Sequence, residues 1–362
     1  MALEFSHTTL GQRVLFGAGE AASHLAKEVD RLGAQRVMVI ASDSAKEHVG
    51  EITQQIDVAL NYNDVVMHVP IETAEKARTA AAENTIDLVV CIGGGSATGL
   101  AKAIALTTGI PIIAIPTTYS GSEGTNVWGL TEAARKTTGS DDRVLPATVI
   151  YDSDLTLSLP VELSVASGLN GMAHCIDALW GPRADPINAA LAAEGIRALA
   201  EGLSKIVDNP QGTDGRDQAL YGAYLAAVSF ASAGSGLHHK ICHVLGGTFN
   251  LPHAQTHATV LPYVLAFNAA DAPEAEQRIA VAFGTATALE GLQNLRTKLD
   301  APKALQDLGF IADGIPEAVE VTLPAIPANN PREVTSQNLT QLLQGALTGD
   351  DPAVLIQESV RS

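Results

Sequence analysis

The stretch Ile86-Asp-Leu-Val-Val-Cys-Ile92 runs directly into Gly93-Gly-Gly-Ser96, and this join decides the fold. The first seven residues are apolar except for Asp87, as in a strand that is buried on both faces of a parallel sheet. The Ala-rich segment 97–108 that follows predicts a helix. A buried strand, a glycine-rich turn and a helix in this order are typical of an α/β domain.

The same alternation extends outward over the first part of the chain, and the second part reads differently. Further short apolar strands are predicted at 36–41, 65–69 and 110–115, with a helix at 20–33. From about Pro160 onward, long Ala- and Leu-rich segments predict helices at 191–205, 219–233, 273–289 and 331–347. The change falls near Tyr151-Asp-Ser-Asp154. We therefore expect an α/β domain over residues 1–155 and a helical domain over residues 156–362.

Composition and charge limit the classes of partner. The chain has 362 residues, 46% of them hydrophobic, and a formal charge of −18 from 40 acidic and 22 basic residues. Such an excess of negative charge argues against nucleic acid or an anionic membrane as the partner. No apolar run approaches the roughly 20 residues of a membrane-spanning helix, and the start of the chain has no secretory signal pattern. The three cysteines show no pairing pattern, so we expect buried thiols in the reducing cytoplasm.

The glycine loop Gly93, Gly94, Gly95 and Ser96 is a candidate phosphate site. Glycines let a phosphate approach the backbone closely, and the free N–H groups at a helix start attract anions. Ser96 is expected to cap the helix and to donate to the phosphate. The loop is not the Gly-x-Gly-x-x-Gly fingerprint, and by itself it is also compatible with a simple tight turn.

Two further loops strengthen the nucleotide interpretation. Asp43 follows the first strand of the predicted sheet, where a carboxylate can contact an adenosine ribose. Thr117, Thr118 and Ser120 follow the strand predicted at 110–115, and their hydroxyls suit a second phosphate and the nicotinamide end. Because all three loops follow strands of one sheet, the sequence predicts binding of NADH or NADPH, without deciding between the two.

Two stretches carry histidines at helical spacing: Asn170-Gly-Met-Ala-His174, and His239-Lys-Ile-Cys-His243 with His253 ten residues further on. Groups four residues apart lie on one face of a helix, and imidazoles from two helices can hold a divalent metal. The neutral amide of Asn170 stands where a charged carboxylate would be expected. A buried histidine can also be an ordinary hydrogen-bonded core residue, but the number of them at this spacing favours a functional site.

The motifs just described resemble the iron-containing alcohol dehydrogenase family, which has the dehydroquinate synthase-like fold. The resemblance rests on segments that occur in order over most of the chain: Gly93–Ser96, Pro116–Thr118, Gly168–His174, the His239-x-x-x-His243-x-Leu-Gly246 run, and Pro252-His253. Within the family, segments 130–139 and 143–152 resemble the maleylacetate reductases in particular. The resemblance implies an N-terminal nucleotide-binding domain, a helical C-terminal domain and a cleft between them.

The resemblance also implies site residues and a reaction. The positions that match the metal ligands of the family are Asn170, His174, His239 and His253, and the Asn is a departure that maleylacetate reductases share. We therefore expect NAD(P)H-dependent reduction of the C=C bond of maleylacetate, a small dicarboxylate, to 3-oxoadipate in aromatic-compound catabolism, with no metal requirement. The family also implies a cytoplasmic homodimer.

In the expected chemistry, His243 protonates the enolate that hydride transfer generates, and His174, His239 and His253 form a cluster of donors around it. His238 and His257 are interpreted as structural or rim residues, and Asp177 as an ordinary helix hydrogen-bonding residue.

Three alternatives remain. A metal-dependent alcohol dehydrogenase of the same fold is disfavoured by Asn170, and a dehydroquinate synthase-type lyase by the scarcity of basic residues for a phosphorylated substrate. A non-catalytic nucleotide-binding protein leaves the dense group of histidines without a role.

Overall fold

The computed structural model describes residues 4–42, 45–132 and 135–359, and the chain divides into two compact units. The first, which we call the α/β unit, comprises Thr9–Pro160 and Gln211–Leu220. The second, the helical unit, comprises Met1–Thr8, Val161–Pro210 and Tyr221–Ser362.

The α/β unit contains a parallel sheet and a separate antiparallel hairpin. The strands are β1 Arg13–Phe16, β2 Val37–Ala41, β3 Val58–Tyr62, β4 Leu88–Gly93, β5 Ile112–Pro116, β6 Val127–Glu132, β7 Arg135–Ser140 and β8 Thr148–Tyr151. Among the described residues, six of them pair in the order β1-β8-β5-β4-β2-β3, and every pair in this sheet is parallel. Strands β6 and β7 form the antiparallel hairpin. This architecture confirms the predicted fold class.

Helices cover both faces of the parallel sheet, because alternate residues of a strand point to opposite sides. The helices here are α1 Ala21–Leu32, α2 Lys46–Thr53, α3 Ile71–Glu83 and α4 Gly95–Thr108. Met38, Val89 and Cys91 pack in one core with residues of α3 and α4. Val39 and Val90 pack in a second core with residues of α1 and α2. Strands that are apolar on both faces therefore need the two helical layers.

One predicted strand is wrong. The run 65–69 was expected to be extended, but the strand in this region is β3, Val58–Tyr62. His68 and Val69 have φ values of 64° and 47°, in the left-handed region, which breaks any extended run. Val69 is buried among residues of α3 and α4, so its apolar character serves packing against helices and not strand pairing.

The helical unit is built from long helices. Its helices, together with the one that begins in the Gln211–Leu220 segment, are α5 Val161–Ala178, α6 Pro186–Asp208, α7 Thr213–Ala233, α8 Leu237–Phe249, α9 His253–Ala269, α10 Pro273–Phe283, α11 Ala288–Lys298, α12 Ile315–Thr322, α13 Ser336–Thr348 and α14 Ala353–Ser359. In the described part of the chain, none of them is long and apolar enough to cross a membrane. One hydrophobic core of this unit is formed by residues of α8, α9, α12, α13 and α14.

Local signals explain where the structure departs from the predicted helix bounds. Asp185 caps α6 by accepting from the N–H groups of Ile187 and Asn188, so this helix starts before the predicted residue 191. The single helix predicted over 273–289 is two helices, because Gly284 adopts φ 72° and ends α10. Thr287 then caps α11 by accepting from Glu290 N–H. Glycine and capping residues therefore set these ends, and apolar periodicity alone does not.

Helices α5, α6 and α7 pack closely at small residues. A Cβ added at Gly222 would lie 2.8 Å from Leu199 Cγ, 2.9 Å from Leu199 N and 3.1 Å from Gly195 O. Because two of these atoms are backbone atoms, they cannot move aside as a flexible side chain can.

We expect Gly222→Ala to lower the free energy of unfolding by about 1–3 kcal/mol, because the added methyl group overpacks this contact. Gly50→Ala in α2 is the matched control: a Cβ there meets no atom within 4 Å. That change should be neutral or slightly stabilising, since alanine favours a helix. Denaturant unfolding curves measure both variants, and equal stability of the two would contradict the close packing of α6 and α7.

Candidate functional site

The glycine loop lies between β4 and α4, as predicted, at the carboxyl end of the sheet. Gly93 has φ 144°, and a Cβ there would lie 2.9 Å from Ser42 Oγ. A residue with a side chain is therefore excluded by both conformation and space. Helix α4 begins at Gly95, so Ser96 lies within the first turn and is not the cap that we expected. Within the described chain, the N-cap Gly94 leaves the first N–H groups without a capping side chain, which suits an anion.

The loop after β5 lies beside the glycine loop. Gly93 is paired with Pro116, and Thr117 N–H donates to Gly93 O at 3.1 Å. A Cβ added to Gly94 would lie 2.9 Å from Thr118 Cγ2, and one added to Gly95 would lie 3.4 Å from Ser120 Oγ. The structure therefore brings Thr117, Thr118 and Ser120 against Gly93, Gly94 and Gly95.

The third predicted loop is only partly described. Ser42 follows β2 and its hydroxyl approaches Gly93, so this loop also reaches the glycine loop. Asp43, the predicted ribose contact, lies outside the described residues. Strand order reverses between β2 and β4, since β3 continues on one side of β2 and β4 lies on the other. Open α/β sheets bind their ligands at such a switch point, beyond the carboxyl ends of the strands.

A buried lysine fixes the turn that follows these hydroxyls. Lys102 Nζ donates to Ser122 O, Thr125 O, Thr125 Oγ1 and Val127 O, at distances between 2.6 and 3.0 Å. Burial lowers the pKa of Lys102 to about 7, and the negative charge of Glu123 opposes this shift. Sequence analysis missed Lys102, although a lysine within an otherwise apolar helix was a signal for it.

In the helical unit, three helices bring the histidines together. Helix α5 carries Asn170 and His174, α8 carries residues 238, 239 and 243, and α9 carries residues 253 and 257. The imidazole centroids of His174 and His239 are 4.9 Å apart, and those of His239 and His257 are 5.0 Å apart. The predicted histidines thus form one cluster, and the buried His257 lies inside it, so of the two roles predicted for it, structural or rim, the rim is excluded.

Asp177 orients His239. Asp177 Oδ2 accepts from His239 Nδ1 at 2.7 Å and from the backbone N–H of Gly236 at 3.0 Å. Trp180 Nε1 donates to its other oxygen at 3.2 Å. Burial raises the pKa of Asp177, and these donors oppose the shift. Because an ionised carboxylate can only accept hydrogen bonds, the proton of the His239 ring lies on Nδ1. His239 Nε2 therefore carries a lone pair and is an acceptor, not the donor that we expected.

This arrangement corrects the view of Asp177 as an ordinary helix residue. It lies three residues after His174 and seven after Asn170, a spacing that places it on the same helix face. Gly236 permits the contact, since a Cβ there would lie 2.6 Å from Asp177 Oδ1. Phe230 was also missed: its ring lies 4.7 Å from His174 and 4.3 Å from His239, and nothing in the sequence of α7 signals this.

The buried histidines of the cluster are neutral at neutral pH. Burial, followed by the charge of neighbouring imidazoles, lowers the pKa of His174 and His257 well below the ordinary value. Burial lowers the pKa of His238 to about 3. Among the described residues, Asn170 Oδ1, His174 Nδ1 and His239 Nε2 are buried atoms without a hydrogen-bond partner. The cluster therefore offers lone pairs in place of positive charge.

The cluster also contains a compact group of three donor atoms. His238 Nε2 lies 2.9 Å from His257 Nδ1 and 3.6 Å from Cys242 Sγ. One ligand atom from each of these residues lies within 4.8 Å of the other two. Cys91, Cys175 and Cys242 are all buried free thiols, as expected.

His243 and His253 differ from their neighbours in exposure. Both are partly exposed, whereas His174, His238, His239 and His257 are buried. The centroid of His243 lies 6.0 Å from that of His239, one helical turn away on α8, and His253 lies 4.4 Å from His257.

Comparison with known proteins identifies the family. The family described as "Iron-containing alcohol dehydrogenase" matches residues 11–153, and the family described as "Fe-containing alcohol dehydrogenase family, C-terminal" matches residues 164–347. The chain belongs to the iron-containing alcohol dehydrogenase family. The predicted family and oxidoreductase class are thereby confirmed.

Individual members of the iron-containing alcohol dehydrogenase family extend this result. The chain is 43% identical to a maleylacetate reductase of Sphingobium indicum, over 97% of this chain and 99% of the relative. A crystal structure of an iron-containing alcohol dehydrogenase from Corynebacterium glutamicum has a TM-score of 0.96 and 70% identity, covering 98% of this chain and 100% of that one. The crystal structure of maleylacetate reductase from Agrobacterium tumefaciens has a TM-score of 0.90 and 39% identity, covering 96% of this chain and 99% of that one. The resemblance to maleylacetate reductases is confirmed.

Membership of an iron-containing family overturns the prediction that no metal is required. That prediction depended on the missing carboxylate at Asn170, but an amide oxygen also has lone pairs that coordinate metals. The residues at the metal positions of the family fit a divalent ion. Asn170 Oδ1, His174 Nδ1 and His239 Nε2 are buried polar atoms without a hydrogen-bond partner in the described chain. Asp177 orients His239 as outer carboxylates orient metal-binding histidines.

The glycine loop gives a direct test of nucleotide binding. We expect Gly94→Val to raise the KM for NADH or NADPH strongly, because the new side chain meets Thr118 and fills the space where a phosphate would approach. Gly11→Val is the matched control in the same unit, since a Cβ at Gly11 meets no atom within 4 Å. Far-UV circular dichroism checks that both variants fold. Unchanged nucleotide affinity in Gly94→Val would show that the loop is only a turn.

Proposed function

We propose that this protein reduces the C=C bond of maleylacetate to give 3-oxoadipate, using NADH or NADPH, in the catabolism of aromatic compounds. The observation that carries the proposal is the similarity to maleylacetate reductases at 43% identity over nearly the whole chain. It is supported by the glycine loop, which lies beside two loops that carry hydroxyl side chains, and by the histidine cluster of the helical unit.

The nucleotide binds at the carboxyl edge of the parallel sheet. The pyrophosphate lies at the start of α4, where Gly93, Gly94, Gly95 and Ser96 offer backbone N–H groups and a hydroxyl. Thr117, Thr118 and Ser120 contact the part of the cofactor toward the nicotinamide. The buried Lys102 holds the turn after these residues in place, so the loop is rigid before the nucleotide arrives.

The reaction adds a hydride and a proton across a conjugated double bond. The ketone of maleylacetate lies next to the C2=C3 bond, so hydride from the reduced nicotinamide adds at C2. Negative charge then develops on the ketone oxygen, and a proton is delivered to C3 as the enolate collapses to the ketone. The protein has to position the acceptor carbon, stabilise the oxygen and supply the proton.

His243 is the proposed proton donor. It is partly exposed, so it can meet both substrate and solvent, whereas the buried His174 and His239 are held neutral. His239 has its proton on Nδ1 toward Asp177 and offers only a lone pair on the other side. His253, also partly exposed, is placed to orient the substrate, and His174 and Asn170 form the buried wall of the site.

The metal of the family has a defined place in this proposal. Asn170, His174 and His239 would hold it through their unpartnered acceptor atoms, together with His253 at the fourth family position. When bound, a divalent ion supplies Lewis-acid polarisation of a substrate oxygen. The homodimer and the cytoplasmic location that the resemblance implies stay predictions.

A second candidate function is oxidation of a simple alcohol. The observation that favours it is the 70% identity to the Corynebacterium glutamicum protein, which is described as an iron-containing alcohol dehydrogenase. The neutral Asn170 at a metal position is the feature that separates the two candidates, because alcohol oxidation depends on a strongly held metal to acidify the hydroxyl.

An absorbance assay tests the proposed function. We expect purified protein to oxidise NADH or NADPH when maleylacetate is added, and to show little reduction of NAD(P)⁺ with simple primary alcohols. Product analysis by mass spectrometry should identify 3-oxoadipate. Alcohol oxidation with no maleylacetate-dependent turnover would overturn the proposal in favour of the second candidate.

The assignment of His243 predicts a separation of turnover from binding. His243→Asn should lower kcat by about 10²–10⁴, the usual contribution of a general acid, because the amide cannot deliver a proton. The affinity for reduced nucleotide, measured by its fluorescence, should not change. His253→Asn is the comparison at the other partly exposed histidine: because it removes a ligand at the fourth metal position, its activity should depend on added divalent metal, whereas that of His243→Asn should not. Near wild-type kcat in His243→Asn would show that another group donates the proton.

A further inference from the structure

The compact group His238, Cys242 and His257 has no role in the proposed reaction. His238 and Cys242 lie one turn apart on α8, and His257 lies on α9. All three side chains are buried, with at most 1% exposure. None of them occupies a position that matches a metal ligand of the family.

The spacing of the three atoms suits a single bound ion. His238 Nε2 lies 2.9 Å from His257 Nδ1 and 3.6 Å from Cys242 Sγ. Ligands at about 2.0–2.1 Å for nitrogen and about 2.3 Å for sulfur around one tetrahedral ion are separated by similar distances. Only small movements are therefore needed to admit an ion between the two helices.

Without an ion, one N–H···N hydrogen bond joins the two imidazoles, and the weakly donating thiol of Cys242 competes for the same nitrogen of His238. The outer nitrogens, His238 Nδ1 and His257 Nε2, have no hydrogen-bond partner among the described residues. Buried polar groups in this state are uncommon, so the hydrogen bonds of these side chains are not fully satisfied within the described chain.

The nearby negative charge attracts a cation but opposes a free thiolate. Burial lowers the pKa of His238 and the carboxylate of Asp177 opposes this shift, whereas burial and Asp177 together raise the pKa of the Cys242 thiol, so the thiolate needs a bound cation beside it. A thiolate at Cys242 and the carboxylate of Asp177 together balance the charge of a divalent cation, which a buried site requires. Two imidazoles and a thiolate form a soft donor set that favours Zn²⁺ over Fe²⁺ or Mg²⁺.

We propose that His238, Cys242 and His257 form a buried Zn²⁺ site that is separate from the metal positions of the family. On binding, the S–H bond of Cys242 breaks, a sulfur–zinc bond forms, and the proton passes to solvent. The two histidines bind through the facing nitrogens and keep their protons on the outer ones. The ion ties α8 to α9, the helices that carry His239, His243 and His253.

Cobalt substitution tests this site by a readout that does not involve activity. Metal-free protein titrated with Co²⁺ should develop the near-ultraviolet thiolate-to-cobalt charge-transfer band, and Zn²⁺ should abolish it by displacement. Cys242→Ser should lack the band. Cys175→Ser, which changes another buried thiol of the same unit, should keep it. His174→Asn, at a metal position of the family, should also keep it.

Three results would overturn the proposal: no band in the wild-type protein, a band that persists in Cys242→Ser, or a band that is lost in His174→Asn. If Cys242→Ser does not fold, X-ray absorption spectroscopy of the zinc-loaded wild-type protein tests the site instead. A sulfur scatterer at about 2.3 Å is then expected, and a shell of nitrogen and oxygen alone would exclude the site.

Discussion

The histidine cluster depends on one buried carboxylate. Asp177 accepts hydrogen bonds from the backbone N–H of Gly236 and His239, from the His239 ring and from the indole of Trp180. It therefore joins α5 to the start of α8 and fixes the tautomer of the central histidine. Disrupting such a fully buried and fully hydrogen-bonded group would strongly destabilise the protein, because its partners would be left buried without hydrogen bonds. Gly236 is required for the close approach of the chain to this carboxylate.

Neutrality of the cluster follows from the same burial. Several imidazole rings are in contact with one another, and protonating them would place like charges side by side. Desolvation keeps the pKa values of His174, His238, His239 and His257 low, so these side chains pack as polar aromatic groups with free lone pairs. Lone pairs suit a cation, whereas protonated imidazoles would suit an anion. Burial thus decides which kind of ligand the cluster favours, whereas the charge of Asp177 acts in the opposite direction on His174 and His238.

In the α/β unit, the glycine loop presents backbone N–H groups that suit an anion, although the chain as a whole carries a high negative charge. Gly93 adopts a conformation that other residues avoid, and α4 starts without a capping side chain in the described structure. The site needs no cluster of basic side chains, because the helix start supplies the positive end. The buried cations Lys102 and Arg216 both lie near this loop. Lys102 donates to carbonyl oxygens of the turn that follows it, and Arg216 donates to the Tyr119 hydroxyl within it.

The sequence by itself determined the fold class, the place of the glycine loop and the helices that carry the histidines, because strand and helix periodicity and glycine positions are local properties. It misplaced β3, since the apolar run near Val69 packs on helices, and it joined α10 to α11, since Gly284 is a weak signal within a long periodic segment. It assigned His257 to a structural or rim role and Asp177 to an ordinary role, because spacing along one helix cannot show what a second helix brings against it. Tertiary structure alone decided which imidazole nitrogen is protonated and which atoms are left without partners, since both depend on contacts between residues far apart in the chain.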